Sequence, residues 1–262
     1  MANYLIDRMT WSYSRLTCYQ SCPYKFYLKY IEQLEDEPLF LSEYGAFVHR
    51  LLASFYLGQV SRRELVNRYV TGFRKDIRGK PPSEKIFSSY FSHALQSLQN
   101  IQPPEERVSA VEEYVRFRVG DYSFAGIIDL LLCDDDGNVT IVDHKSRILK
   151  PPSGRRQPTR SDLELDEYLK QLYLYSIPVI DQTGSAPIKL SFHCFRAPLD
   201  SKPVEVPFRP EKLEAAKKWA LDTIHAIENE REWKPDYEYF KCHHICGLHK
   251  DCIYYSLQNG KN

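Results

Sequence analysis

The chain has 262 residues, 43% hydrophobic and 13% aromatic, which suits one large folded domain or two small ones and argues against disorder. Its 35 Lys and Arg balance its 35 Asp and Glu, so no net positive field favours a coating or packaging role on nucleic acid. Seven cysteines are an odd complement for a secreted disulfide scaffold, and the opening residues carry no signal peptide and no later run spans a bilayer. A reducing cytoplasm is therefore expected, where clustered cysteines hold metal or act chemically.

The first hundred residues read as helical. Phe47, Val48, Leu51, Leu52, Phe55 and Tyr56 form one apolar face, and Ile86, Tyr90, Phe91, Leu95 and Leu98 repeat the pattern after the proline pair at 81–82. The period then changes to two. Val111, Glu113, Val115, Phe117 and Val119 alternate with Glu112, Tyr114, Arg116 and Arg118, which predicts a strand. Apolar runs from Phe124 to Cys133 and Val139 to Val142 flank Asp134-Asp135-Asp136-Gly137-Asn138, a turn sequence that makes an antiparallel hairpin. The three aspartates lack the spaced ligands and terminal glutamate of a calcium loop, so they are read as a plain turn. Arg147, Lys150, Arg155, Arg156 and Arg160 follow Lys145 with no acid until Asp162, either a basic lip or a solvated loop. A helix through Leu165 to Ile177, a strand near Ile188 to Phe195 and a helix from about Glu211 to Arg231 complete an α/β core inside a helical wrapping.

The chemistry gathers on the hairpin. Asp129 interrupts one buried apolar strand and Asp143 ends another. An unpaired carboxylate there is costly, and a divalent cation shared by two of them offsets the cost, with Mg²⁺ or Mn²⁺ the natural choice. Removing either acid from the metal-free protein should then relieve repulsion. Asp143 and Lys145 lie two apart on a strand and share a face, while His144 points away with its carbonyl still in reach of the metal. A lysine beside a metal-bound water orients that water and stabilises charge on a phosphate, which fits phosphodiester hydrolysis. Taken alone, the spacing of Asp143 and Lys145 favours a structural ion pair at a strand end, since D-x-K recurs by chance.

Gly126 to Asp129, the hairpin, Ile141 to Lys145, and Gln171-x-x-x-Tyr175 on the next helix together resemble the PD-(D/E)XK nuclease superfamily. More narrowly they look like its RecB and AddB nuclease domains and the CRISPR-associated exonucleases related to them, over about Ser12 to Cys252. The resemblance implies a restriction-endonuclease-like core, a mixed central sheet flanked by helices. It divides a single nuclease domain, 1–262, into a helical N-terminal part at 12–105, a nuclease core at 106–205, and a C-terminal helix and cluster segment at 206–262. It also implies that His49, within Gly45-Ala46-Phe47-Val48-His49, joins Asp129 and Asp143 around the metal. Lys145 then serves the water or scissile phosphate, and Gln171 and Tyr175 support the site or the DNA. Glu113 is preferred over the adjacent Glu112 as a further acid. Aspartate at position 143, where many members carry glutamate, is common in RecB-like members.

Cys242, Cys246 and Cys252 are spaced so that their thiolates can converge on one centre. The segment Ser12 to Leu16 leading to Ser21-Cys22-Pro23 resembles the start of AddB-type nucleases, which implies Cys22, rather than Cys18, as the fourth ligand of a 4Fe-4S cluster fastening the chain ends. Structural zinc is the alternative, with His243, His244 and His249 nearby, and the gap from Cys242 to Cys246 is one residue longer than the family's. Cys18, Cys133 and Cys194 are read as small apolar packing residues.

The expected activity is a Mg²⁺- or Mn²⁺-dependent DNA nuclease, an exonuclease on single-stranded or end-containing DNA in recombination, repair, phage replication or CRISPR adaptation. No Walker A sequence occurs, so any unwinding comes from a partner, a helicase or another recombination or CRISPR protein, or is unnecessary. The alternative is a non-catalytic DNA-binding or scaffold module with a structural iron-sulfur or zinc site.

Overall fold

The computed structural model describes residues 4–198 and 200–259; the first three residues of the N-terminal reading lie outside it. Short helices α1 (Tyr4–Asp7), α2 (Tyr13–Ser21) and α3 (Pro23–Phe26) open the chain, and a π-turn at Tyr27–Ile31 follows. Ser12 caps α2 by accepting from the Arg15 N–H, and Cys22 caps α3 through its sulfur, with Pro23 at the first helical position. Helices α4 (Phe40–Tyr56), α5 (Arg62–Asp76) and α6 (Glu84–Asn100) come next, the last two capped by Ser61 and Ser83.

The sheet follows: β1 (Arg107–Val119), β2 (Tyr122–Cys133), β3 (Val139–Lys145), β4 (Lys189–Cys194) and β5 (Val204–Pro207), in the spatial order β1-β2-β3-β4-β5. Every pair is antiparallel except β3 with β4, which α7 (Arg160–Thr183) connects as a crossover. The aspartate-rich loop is a turn, with Asp134 accepting from the N–H groups of Asp136 and Asn138 and Gly137 at φ 85°. Helices α8 (Pro210–Asn229), α9 (Tyr239–His244) and α10 (Ile253–Asn259) close the described chain.

Two separate cores flank the sheet. On one face α2, α7 and α8 bury Leu16, Leu172 and Ile224 against Val115, Phe117, Phe124 and Ile141. Trp11 belongs to this core, and its backbone pairs with Ser123 and Ala125, so the chain's opening is part of the sheet layer. Helices α4, α5 and α6 instead share an aromatic core of Phe40, Tyr44, Phe47, Tyr69 and Phe73. Tyr56 links that unit to the other face of the sheet, against Leu130, Leu132 and Val142. His49, on α4, is thereby brought over the sheet.

The structure departs from the sequence expectation at α7 and at β5, and it resolves the basic stretch toward a solvated loop. α7 runs longer than Leu165–Ile177 because Thr159 and Asp162 form a capping box at its start and Gly184, at φ 72°, ends it. β5 has no counterpart in the sequence reading, since four residues ending in proline carry little periodic signal. The basic stretch is partly neutralised: Arg147 pairs with Glu164, and Asp162 accepts from Ser153 and Thr159, folding the loop back.

Candidate active site

Asp129 lies one residue beyond Leu130, whose pairing with Val142 ends the β2–β3 ladder on this side. One of its oxygens accepts from the His144 N–H at 2.7 Å, and the other is 3.5 Å from His49 Nδ1. Burial raises the cost of charge on Asp129, but His49 and the His144 N–H outweigh it and hold its pKa below the usual carboxylate value. Burial likewise opposes charge on His49, yet Asp129, Glu112 and Asp143 push its pKa up to about 10. The His49 Nε2 meets the carbonyl of His144 at 3.0 Å.

Glu112 completes this group, its carboxylate 3.8 Å from His49 Nδ1. Its backbone sits at φ 50°, an uncommon conformation for a non-glycine residue inside a strand, and the β1–β2 register is irregular nearby. The ligand atoms of His49, Glu112 and Asp129 all lie within 4.8 Å of one another. The acid at this point of β1 is thus Glu112 and not Glu113, because alternation along a regular strand does not anticipate a left-handed residue. The strained backbone is an additional sign of a functional position.

Asp143 and Lys145 stand beside this group. Asp143 is buried, and its Oδ2 lies 2.6 Å from Lys145 Nζ without accepting a well-directed hydrogen bond. Burial and the neighbouring Asp129 push its pKa up, against the pull of Lys145 and His49. Lys145 donates to Gln171 Oε1 at 3.0 Å, Gln171 donates to the Tyr175 hydroxyl at 3.4 Å, and the ammonium lies 5.3 Å from the Tyr168 ring. Gln171 and Tyr175 come from one face of α7, with Tyr168 a turn earlier on the same face. Tyr168 had no separate sequence signal beyond its three-residue spacing from Gln171. His144 points to the opposite face of the sheet, stacked on Tyr56 at 5.4 Å with an interplanar angle of 6°.

The arrangement fits a divalent cation. A histidine and two carboxylates converge, and a third carboxylate, buried and short of hydrogen bonds, stands next to them. His49 and Asp129 belong to the tight group, whereas Asp143 lies outside it and is engaged with Lys145.

The cysteines form a second locality. Cys22, Cys242, Cys246 and Cys252 border one small cavity with Tyr24, Leu28 and Tyr255. Among the described residues no three of their sulfurs come within 4.8 Å of one another, so they do not make a compact single-ion site. The Cys22 sulfur accepts from the N–H groups of Lys25 and Asp236. Cys18 instead packs against the main core, its thiol pushed up to about 11 chiefly by burial.

A family model described as the PD-(D/E)XK nuclease superfamily matches residues 10–253. No curated protein matches the chain. Among solved structures it is similar to a "Putative exonuclease" from Eubacterium rectale at 12% identity and a TM-score of 0.49, covering 92% of this chain and 87% of that one. It is also similar to a protein named SSO0001 at 16% identity and a TM-score of 0.33, over 80% of this chain and 96% of the other.

Proposed function

The chain belongs to the PD-(D/E)XK nuclease superfamily, and from that premise we propose that it is a Mg²⁺- or Mn²⁺-dependent deoxyribonuclease of the RecB-like kind, acting as an exonuclease on single strands or ends. The observation that carries the reading is the convergence of His49, Glu112 and Asp129 beside the Asp143–Lys145 pair. His49, Asp129 and Asp143 would hold the cation, with Glu112 in place of Glu113 as the further acid. A bound divalent cation supplies Lewis-acid stabilisation of charge on a phosphate.

The chain's own residues do the rest. Lys145, fixed between Asp143 and Gln171, aims its ammonium at the reacting phosphate, orienting the attacking water and stabilising negative charge on the oxygens. Gln171 and Tyr175 hold Lys145 in that position. The Asp129 carboxylate accepts from the His144 N–H, which fixes the backbone carrying Asp143 and Lys145. The low dielectric around buried Asp143 strengthens each of these interactions.

On this reading residues 1–262 act as one nuclease domain, with the helical part at 12–105, the core at 106–205 and the closing segment at 206–262. Cys22, Cys242, Cys246 and Cys252 would hold a 4Fe-4S cluster; the one cavity that all four border supports this. The protein works in the cytoplasm in recombination, repair, phage replication or CRISPR adaptation, beside a helicase or another recombination or CRISPR protein. No helix among the described residues is long and apolar enough to cross a membrane.

The test is incubation of anaerobically purified protein with end-labelled linear and circular DNA, with and without Mn²⁺. Mn²⁺-dependent shortening of the linear substrate, absent in Asp129→Ala, is expected. Binding without any cleavage would instead favour the non-catalytic module.

A further inference from the structure

The outer face of the β1–β2 hairpin carries exposed residues that neither core absorbs. Tyr114 pairs directly with Ile127, Arg116 with Ala125 and Arg118 with Ser123. Tyr114 is 58% exposed and Ile127 47%, although strand-centre aromatics and branched aliphatics ordinarily face a core. The alternate residues Val115, Phe117 and Val119 do exactly that on the other face, so the exposure follows from the strand's alternation and not from fraying.

This strip is ordered and positively charged. Arg116 donates to the Tyr114 hydroxyl at 3.2 Å with its guanidinium 5.5 Å from the ring centre, and Arg118 donates to the Asp121 carbonyl at 2.7 Å. No acid occurs at 114–118 or 122–128; the nearest along the strands are Asp121 at the turn and Glu112, Glu113 and Asp129 at the other end. Tyr114 stands two residues from Glu112, and Ile127 two from Asp129, so along both strands the strip ends next to the candidate metal site, where the left-handed Glu112 interrupts the alternation. Successive positions on one strand face are about 6.7 Å apart, a step that an extended nucleotide can follow.

We propose that Tyr114, Ile127, Arg116 and Arg118 form the track that binds single-stranded DNA next to the site, with a base stacked on Tyr114 and phosphates held by the two arginines. The aromatic platform is sequence-tolerant because every base has a π-face, and the arginines track the backbone. A base inside a duplex is already stacked and is denied to Tyr114, so the track favours an unpaired strand. The assignment rests on the nuclease reading for its substrate, but binding can be measured without metal, so the two fail separately.

The experiment is fluorescence anisotropy of labelled oligo-dT and of a blunt duplex in EDTA, with melting curves to establish folding. Tyr114→Ala should weaken oligo-dT binding about tenfold while leaving its salt dependence unchanged. Arg116→Ala/Arg118→Ala should reduce the slope of log K against log salt by roughly 1.4, about 0.7 for each phosphate contact on a single strand. Duplex affinity should change less in Tyr114→Ala. Oligo-dT binding within twofold of the parent in both variants overturns the track, as does an equal loss on duplex and single strand. A dimer that Tyr114→Ala dissociates, with DNA affinity intact, would assign the face to self-association instead. Track-dependent binding with no Mn²⁺-dependent cleavage leaves the track standing and removes the nuclease reading.

Discussion

The Tyr175 hydroxyl occupies space beside Gly126 that a side chain there would fill: a Cβ on Gly126 would stand 2.6 Å from that oxygen and 2.4 Å from the ring. Glycine is needed at this position for close approach, with no unusual backbone angle involved. Gly126→Ala should push the tyrosine aside, and with it Gln171 and the Lys145 ammonium. A displacement of about 1 Å at a reacting group can cost a hundredfold in rate, so kcat should fall by about that factor with KM little changed. Steady-state cleavage by a variant that melts cooperatively is the check, and a parental kcat breaks the link between Tyr175 and Lys145.

Lys145→Ala should abolish Mn²⁺-dependent cleavage while leaving DNA binding intact, since the change removes one charge and leaves the apolar strands in place. Loss of a positioned electrostatic group costs on the order of a hundredfold or more. The same variant separates the two readings of the Asp143–Lys145 pair. A purely structural ion pair would lower the melting temperature and leave the rate per folded molecule unchanged.

Much of this was legible beforehand because strand alternation and turn chemistry are local. The hairpin, its aspartate turn and the shared face of Asp143 and Lys145 follow from a period of two, and Gln171 and Tyr175 from a helical period of four. What failed were features set by departures from regularity. Glu112 enters the site through a left-handed residue in β1, which exchanges it with Glu113; His49 is legible from the resemblance alone, since its place over the sheet depends on the long-range packing of Tyr56 and Phe195. The family resemblance also implies a simple group of two aspartates and a histidine, whereas the tight group contains Glu112 and leaves Asp143 to Lys145.

The two aspartates should respond oppositely to neutralisation, in place of the common relief expected from repulsion alone. Asp143 has its folded pKa raised by burial, so between the unfolded value and that raised value the native state binds more protons and gains stability as pH falls. Asp143→Asn should therefore raise the metal-free melting temperature at neutral pH, with the gain shrinking toward pH 4. Asp129 has a lowered pKa, and its contribution is present above the unfolded value and lost as pH falls through the folded one. Asp129→Asn should lower the melting temperature at neutral pH. Shifts of the same sign in the two variants, measured in EDTA by calorimetry, would refute this division.

If His49 is a ligand, metal binding should be proton-linked. Its pKa, raised to about 10, means the metal-free site carries imidazolium at neutral pH, and the stability this provides is full below about 6.5 and disappears as pH climbs through about 10. Coordination requires the neutral ring, so Mn²⁺ should displace about one proton and bind more tightly as pH rises. Titration calorimetry in buffers of different ionisation enthalpy measures the release directly. His49→Gln should eliminate it, and an enthalpy independent of buffer in the parent protein means His49 is not a ligand.

The cysteine cavity yields the last expectation, because the contacts around it already draw the two chain ends together. Lys241 donates to the Ser21 carbonyl at 2.8 Å, Lys25 to the Ile245 carbonyl at 3.4 Å, and Glu37 N–H to the Gly247 carbonyl at 3.2 Å. Gly247 lies so close to this neighbour that a Cβ would come within 2.1 Å of the Glu37 carbonyl, a backbone atom with no flexible side chain to yield. A centre bound by Cys22 together with Cys242, Cys246 and Cys252 closes a loop of nearly the whole chain, which restricts the unfolded state strongly. Anaerobically purified protein should then be brown, with iron and labile sulfide, and should bleach in air. Cys22→Ala and Cys246→Ala should lose the colour and expose the C-terminal segment to protease first, with activity falling only as folding fails. Cys18→Ala should keep the colour, since that thiol packs in the main core. Gly247→Ala should loosen the same segment while all four thiols remain, which separates docking from ligation. Colourless parent protein with stoichiometric zinc replaces the cluster by zinc, and protein holding neither metal leaves the clasp to the backbone contacts alone.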